Sequence, residues 1–185
     1  RELTEEEITT ISKNFSKELE IFCHGALCAS ISGQCLFSSL LGGRSGNRGK
    51  CAQPCRKRYN NQYYLSTKEL CLIEHIPNII KIGINAIKIE GRMRSPYYVA
   101  TATEAYRKAI ESFYQGNFKV PKDILEKLKG SFSREFTAGW FNHSQDIFNR
   151  DKSTGEKSEY KKEFYEVKSK EVKIERKKVN LELPI

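Results

Sequence analysis

The chain has 185 residues, 38% of them hydrophobic and 30% charged, enough for one ordinary domain with at most a small appendage. No apolar run approaches the roughly 20 residues of a membrane span, and the opening "RELTEEEITTISKNF" has no apolar signal core, so a cytoplasmic protein with reduced cysteines and no membrane partner is expected. The net charge of +9 fits an anionic partner, nucleic acid first, and fits equally a lysine-rich solvated surface.

In chain order, "TEEEITTISKNF" predicts a helix, with Thr4 as N-cap, Glu7 three residues later, and Ile8 and Ile11 on one face. The start at Arg1 instead of a methionine predicts a piece of a longer protein. "LEIFC" at 19–23 is short, apolar and β-prone, and it runs straight into the loop "HGALC". A second unit reads as a strand "YYL" and a helix "TKELCLIEHI", with Ser66 as N-cap and Glu69 as its capping-box partner. A third unit has the strand "INAIKIEG", the loop "RMRS" and the helix "PYYVATATEAYRKAIESFYQ". Ser95 at N-cap, Pro96 at N1 and Gly116 past the end bound that helix. Val99, Ala102, Ala105, Tyr106, Ala109, Ile110 and Phe113 make its apolar stripe. "VPKDILEKLKG" predicts a short helix stopped by Gly130, and "SFSREFTAGWFNHSQDIFNR" an aromatic segment packed on the domain.

Strand, loop and helix in repetition predict a parallel α/β architecture, with chemistry in the loops after the strands' carboxyl ends. "CHGALC" and "EGRMR" both occupy that position. Three such units are too few to close an eight-stranded barrel of about 250 residues, so a barrel would be present only as its later part. Residues 1–142 are expected to form that part, 143–162 a polar linker, and 163–185 a β-strand segment of a small C-terminal domain.

Four of the six cysteines follow the spacing Cys28-x6-Cys35-x15-Cys51-x3-Cys55 among flexible glycines. Four thiolates suit tetrahedral zinc or a 4Fe–4S cluster, and the close C-x2-C pairs usual for zinc are missing. Unligated thiols and disulfides remain the other readings of the spacing. Cys23 and Cys71 read as small core residues. A Cys23–His24 dyad is disfavoured because neighbouring strand side chains point to opposite faces, which leaves His24 to reach Cys28 or a substrate. No H-E-x-x-H and no G-x-S-x-G is present, so protease chemistry has no support from the residues. Arg44, Arg48, Lys50, Arg56, Lys57 and Arg58 surround the cysteines; they read as a site for an RNA backbone or a carboxylate, or as a solvated basic loop. Glu90, at a strand end, reads equally as catalytic or as the partner of Arg92 or Arg94.

The run "EIFCHGALCASISGQCLFS" resembles the signature of the peptidase U32 family, E-x-F-x-x-G-(S/A)-aliphatic-C-x4-G-x-C-x-aliphatic-S. Glu20, Phe22, Gly25, Ala26, Leu27, Cys28, Gly33, Cys35 and Ser38 match it, and Phe37 stands where an aliphatic residue is usual. "GGRSGNRGKCAQPCRKRY" and "IKIEGRMRSPYYVATATEAYRKAI" are similar to the family as well. The resemblance implies a (β/α)8-type catalytic domain, often followed by a small β domain. It implies either a collagenase-like peptidase or an oxygen-independent RNA hydroxylation protein, of the tRNA uridine or 23S rRNA cytidine type. In the latter a 4Fe–4S cluster sits on Cys28, Cys35, Cys51 and Cys55, with Cys71 in reserve for the fourth ligand, and prephenate is the implied co-substrate.

The leading expectation is therefore a cluster-dependent hydroxylation enzyme acting on tRNA or rRNA. His24, Glu90 and Arg92 are its candidate catalytic residues, and Arg44, Arg48, Lys50, Arg56 and Arg58 its candidate RNA-binding residues. A U32 peptidase and a zinc-stabilised RNA-binding module are the alternatives. Strand edges left open by a partial barrel would favour a homodimer.

Overall fold

Thr4 opens the first helix as its sequence predicts. Its hydroxyl accepts from the Glu7 N–H at 3.3 Å, and the Glu7 carboxylate accepts from the Thr4 N–H at 2.8 Å. This capping box starts α1 (Glu5–Asn14) in a computed structural model that describes residues 1–148 apart from Met93, Ser133 and Gln145. The elements that follow are β1 (Glu20–Ala26), α2 (Phe37–Gly42), β2 (Glu69–Cys71), α3 (Ile76–Ile82), β3 (Ala86–Ile89), α4 (Pro96–Tyr114), α5 (Lys122–Ser131) and β4 (Phe136–Thr137).

The result is a mixed α/β fold around a four-stranded sheet of order β3-β1-β2-β4. β1 runs parallel to β3, with Ile21 opposite Ile87, and α3 lies between β2 and β3 in the chain. The all-parallel expectation fails at β2, which is antiparallel to β1 and pairs Gly25 with Leu70. Between these two strands the chain carries the six-residue α2, the 3₁₀ turn Pro54–Arg56 and the cysteine loop.

The expected unit at 63–76 is also rebuilt. "YYL" is turn, and the Ser66–Glu69 capping box does not form, because Glu69 is a buried residue of β2 between Ala26 and Phe136. The helix starts later, at Ile76, carries Pro77 in its first turn, and ends at Gly83 in the left-handed conformation (φ +87°). α4 matches its sequence signals: Ser95 accepts from the Tyr98 N–H at 3.2 Å. Tyr98, Ala102, Ala105, Tyr106 and Ala109 are its buried face, whereas Val99, placed in the stripe by the sequence, is 42% exposed.

The core joins Cys23, Leu70, Leu72, Ile73, Ile76 and Ile79 to Ala102, Tyr106 and Leu128. Ile147 belongs to it too, and Phe148 bridges to Thr67. The rest of the predicted linker and the β segment at 163–185 lie outside the described residues.

Candidate metal centre and its basic surround

Because β1 and β3 are parallel, the loops that leave their carboxyl ends emerge side by side. The Glu90 N–H donates to the His24 carbonyl at 2.8 Å and closes the pair. Gly25 makes that approach possible: its φ is +113°, and a Cβ there would strike the Glu90 carbonyl oxygen. Past Gly25, Leu27 is buried and Cys28 reaches the surface.

A set of short links orders the loop that carries the remaining cysteines. The buried Ser38 of α2 accepts from the Ala52 N–H at 2.9 Å, which fixes the chain next to Cys51. Asn47 donates to the Gly33 carbonyl at 3.1 Å, and Arg44 donates to the Lys50 carbonyl at 3.0 Å. The Gln53 N–H donates to the Cys51 sulfur at 3.3 Å. Cys55 then sits in a single 3₁₀ turn, Pro54–Arg56.

Arg56 ties that turn to β1. Its guanidinium donates to the Leu27 carbonyl at 2.8 Å and to the Thr67 carbonyl at 2.7 Å, with Ser66 at 3.3 Å. Thr67 donates to the same Leu27 carbonyl at 2.8 Å. The Arg56 guanidinium is thus committed to partners inside the protein, unlike the exposed Arg44, Arg48, Lys50 and Arg58.

The four cysteines share one electrostatic neighbourhood. Burial raises the Cys55 thiol most; Arg56 opposes that, and negative charge on Cys28, Cys51 and Cys35 raises it further. Cys71 stands apart. Its thiol is pushed up to about 11 chiefly by burial, and the charges acting on it are Glu74 and Lys129. Cys23 is fully buried in the core, and the six cysteines form no disulfide with one another. As the side chains stand, no three His, Cys, Asp or Glu among the described residues close around a metal-sized space. The donor set nonetheless fits a thiophilic metal or cluster by type, four unpaired sulfur donors carried on one loop segment.

The expected catalytic residues separate. His24 is sealed in the interior at 1% exposure, with Tyr98, Tyr106 and Phe136 rings 5.7, 5.5 and 5.5 Å away. Its pKa falls to about 4, mainly through burial and then through Arg94, so the ring is neutral at pH 7. The Tyr106 hydroxyl donates to the Cys23 carbonyl at 2.7 Å and accepts from the Leu72 N–H at 3.0 Å. Its one proton being used, the 3.4 Å contact with His24 requires the proton on Nδ1. Nε2 is then a buried acceptor with no partner among the described residues. Glu90 is half-buried on the loop and Arg92 is exposed, with its guanidinium lying over Gly49 of the cysteine loop.

Arg94 pairs with Glu69 instead of Glu90. Glu69, 1% exposed, accepts from Arg94 at 3.2 and 3.3 Å and from Arg134, and the Arg94 guanidinium lies 3.4 Å over the Phe132 ring. Sequence reasoning missed this triad by assigning Glu69 to a helix cap. The signal available was a carboxylate inside the apolar run "ELCLI".

Comparisons with known proteins agree with the sequence signature. An uncharacterized protease of Methanocaldococcus jannaschii is 38% identical over 162 residues, covering 76% of this chain and 40% of that protein. tRNA hydroxylation protein P1 of Bacillus subtilis is 36% identical over 160 residues, 76% of this chain and 38% of that protein. A collagenase of Porphyromonas gingivalis is 33% identical over 169 residues, again 76% of this chain and 40% of that protein. The chain thus spans about two fifths of the length of the curated relatives it matches. No solved structure matches. No helix of the described residues is long and apolar enough to cross a membrane. The model of peptidase family U32 matches residues 1–150, and the chain belongs to that family.

Proposed function

We propose that this chain is the cysteine-bearing part of an iron–sulfur-dependent enzyme that hydroxylates a pyrimidine of tRNA or rRNA in the cytoplasm. The observation that supports the reading is the position of Cys28, Cys35, Cys51 and Cys55 on one basic segment after β1, tied together by the Asn47–Gly33, Ser38–Ala52 and Arg56–Leu27 hydrogen bonds. Relatives named as tRNA hydroxylation proteins support an RNA substrate. Cys28, Cys35, Cys51 and Cys55 would hold a 4Fe–4S cluster, which supplies one-electron chemistry when bound. Zinc on the same thiols is the alternative occupant, as in an RNA-binding module.

The chain's own residues then divide the work. Arg44, Arg48, Lys50 and Arg58 meet backbone phosphates, and each contact adds to a salt-dependent affinity. Arg92, lying over Gly49, adds a cation where the β3 loop meets the cysteine loop. Glu90 would be the carboxylate that takes a proton there, its backbone held by the His24 carbonyl through the 2.8 Å link. A carboxylic co-substrate such as prephenate would be bound by the same cations. In the longer protein the chain would form the later part of a (β/α)8-type barrel. The edge of β3, unpaired among the described residues, favours self-association of the chain taken alone.

Purification without oxygen, followed by the visible spectrum and iron, sulfide and zinc content, tests the centre. A brown protein with about four irons is expected, and a colourless one holding a single zinc would refute the cluster. A peptidase reading is favoured by the collagenase and protease names of relatives. Deleting the gene separates the two: loss of a hydroxylated nucleoside from RNA supports hydroxylation, and unchanged nucleosides with lost proteolysis support the peptidase.

A further inference from the structure

Arg56 is a half-buried cation without a carboxylate partner. Its guanidinium donates to the Leu27 carbonyl at 2.8 Å, the Thr67 carbonyl at 2.7 Å, the Thr67 hydroxyl at 2.5 Å and the Ser66 hydroxyl at 3.3 Å. Every one of those acceptors is neutral, and among the described residues Arg56 forms no ion pair. An arginine stays charged in a protein, and a charge withdrawn from water is costly unless opposite charge stands near it. Burial lowers the Arg56 pKa most; Cys55, then Glu69 and Cys28, act against that, and Arg94 adds to it.

The same side chain is tied to the backbone beside two of the sulfur donors. Arg56 follows Cys55 directly in the chain, and its bond to Leu27 reaches the residue before Cys28. Thr67 donates to that carbonyl as well, at 2.8 Å, so the link is held from two sides. Glu69, 1% exposed and paired with Arg94 and Arg134, acts on Arg56 through protein instead of water, where charges are felt more strongly. A fixed cation with neutral hydrogen-bond partners leaves its charge to act on whatever the neighbouring sulfurs bind. An iron–sulfur centre gains one negative charge when it takes up an electron, and its potential follows local charge, hydrogen bonding and burial.

We infer that Arg56 is an electrostatic positioning residue that raises the reduction potential of a cluster on Cys28, Cys35, Cys51 and Cys55, with Glu69 moderating it. This role rests on the cluster reading above, and it replaces the RNA contact expected of Arg56 from the sequence.

The test is a potentiometric titration of the full-length protein, reconstituted without oxygen, with dithionite as electron donor and the visible absorbance as readout. Arg56→Gln should make reduction about tenfold less favourable, a fall of about 59 mV for one electron. Arg56→Lys keeps the charge and should stay within about threefold of the unaltered protein. Glu69→Gln removes a negative charge and should move the potential the opposite way, upward. A purely structural role would lower stability and iron content in these variants and leave the potential of whatever cluster forms in place. Where Arg56→Gln fails to hold iron, Glu69→Gln decides: an upward shift supports the role and an unchanged potential overturns it. Clusters that form in both variants with unchanged potentials, or with shifts of the same sign, would overturn the role of Arg56 and leave the cluster reading intact. A colourless protein holding one zinc would sink the cluster reading itself, and this role with it.

Discussion

The Arg56 guanidinium donates to the Leu27 carbonyl at 2.8 Å, joining the turn that carries Cys55 to the residue that precedes Cys28. Two cysteines separated by a long loop are thereby held on one frame. The same guanidinium also bonds the Thr67 carbonyl, so β1, the cysteine turn and the approach to β2 meet at one side chain. Replacing Arg56 by Met keeps most of its bulk and removes every donor. Buried acceptors left unpaired cost about 1–3 kcal/mol, so urea midpoints should fall accordingly. Iron bound after anaerobic reconstitution should fall with them. Unchanged iron content would remove Arg56 from the positioning of the centre.

Cys55 and Cys71 give opposite expectations. Cys55→Ser should reduce reconstituted iron and the visible absorbance, because it is the thiol on which Cys28, Cys51 and Cys35 act. Cys71→Ala should leave both close to normal, since its main neighbours are Tyr106, at 3.9 Å, and Glu74. The reverse pattern would move the fourth ligand to Cys71.

Glu69 holds two guanidiniums in the interior. Glu69→Ala leaves Arg94 and Arg134 without that carboxylate, and breaking one side of a buried pair costs about 3–5 kcal/mol. Denaturant unfolding measures this directly, and a loss below about 1 kcal/mol would show that solvent or other groups take over the charge.

His24 makes stability depend on pH. Its folded pKa of about 4 lies below the ordinary 6.5, so the unfolded chain takes up a proton that the folded one refuses. The stability present above pH 6.5 is therefore lost as pH falls toward 4, by nearly tenfold in the folding constant for each unit. His24→Gln should flatten this part of the curve. Parallel curves for the two proteins between pH 6.5 and 5 would contradict the buried, neutral ring.

Gly25 and Gly33 both have positive φ, +113° and +83°, and differ in their surroundings. Gly33→Ala meets open space and should cost about 1 kcal/mol from backbone strain alone. Gly25→Ala also strikes the Glu90 backbone, and should cost several kcal/mol or prevent folding. Equal melting temperatures for the two variants would mean that the β1–β3 loops are not in contact.

Local signals were legible wherever neighbouring residues decide the outcome. The Thr4–Glu7 capping box, the Ser95 cap and Pro96 start of α4, and the family signature from Glu20 to Ser38 all follow from short-range chemistry. The β2 region was misread for the same reason. Its capping-box pattern is local, whereas Glu69 is drawn into the sheet by Arg94 and Arg134, which lie 25 and 65 residues away.

By itself the sequence determined the α/β class, the family, the cysteine quartet as a group of interest and the basic loop around it. Spacing, caps and charge are written along the chain and need no fold to be read. Only the tertiary structure decided which arginines face solvent and which are committed inside, that β2 turns antiparallel, and that His24 is sealed and neutral. Burial and long-range pairing set those properties, because the same guanidinium or imidazole behaves differently once its neighbours replace water.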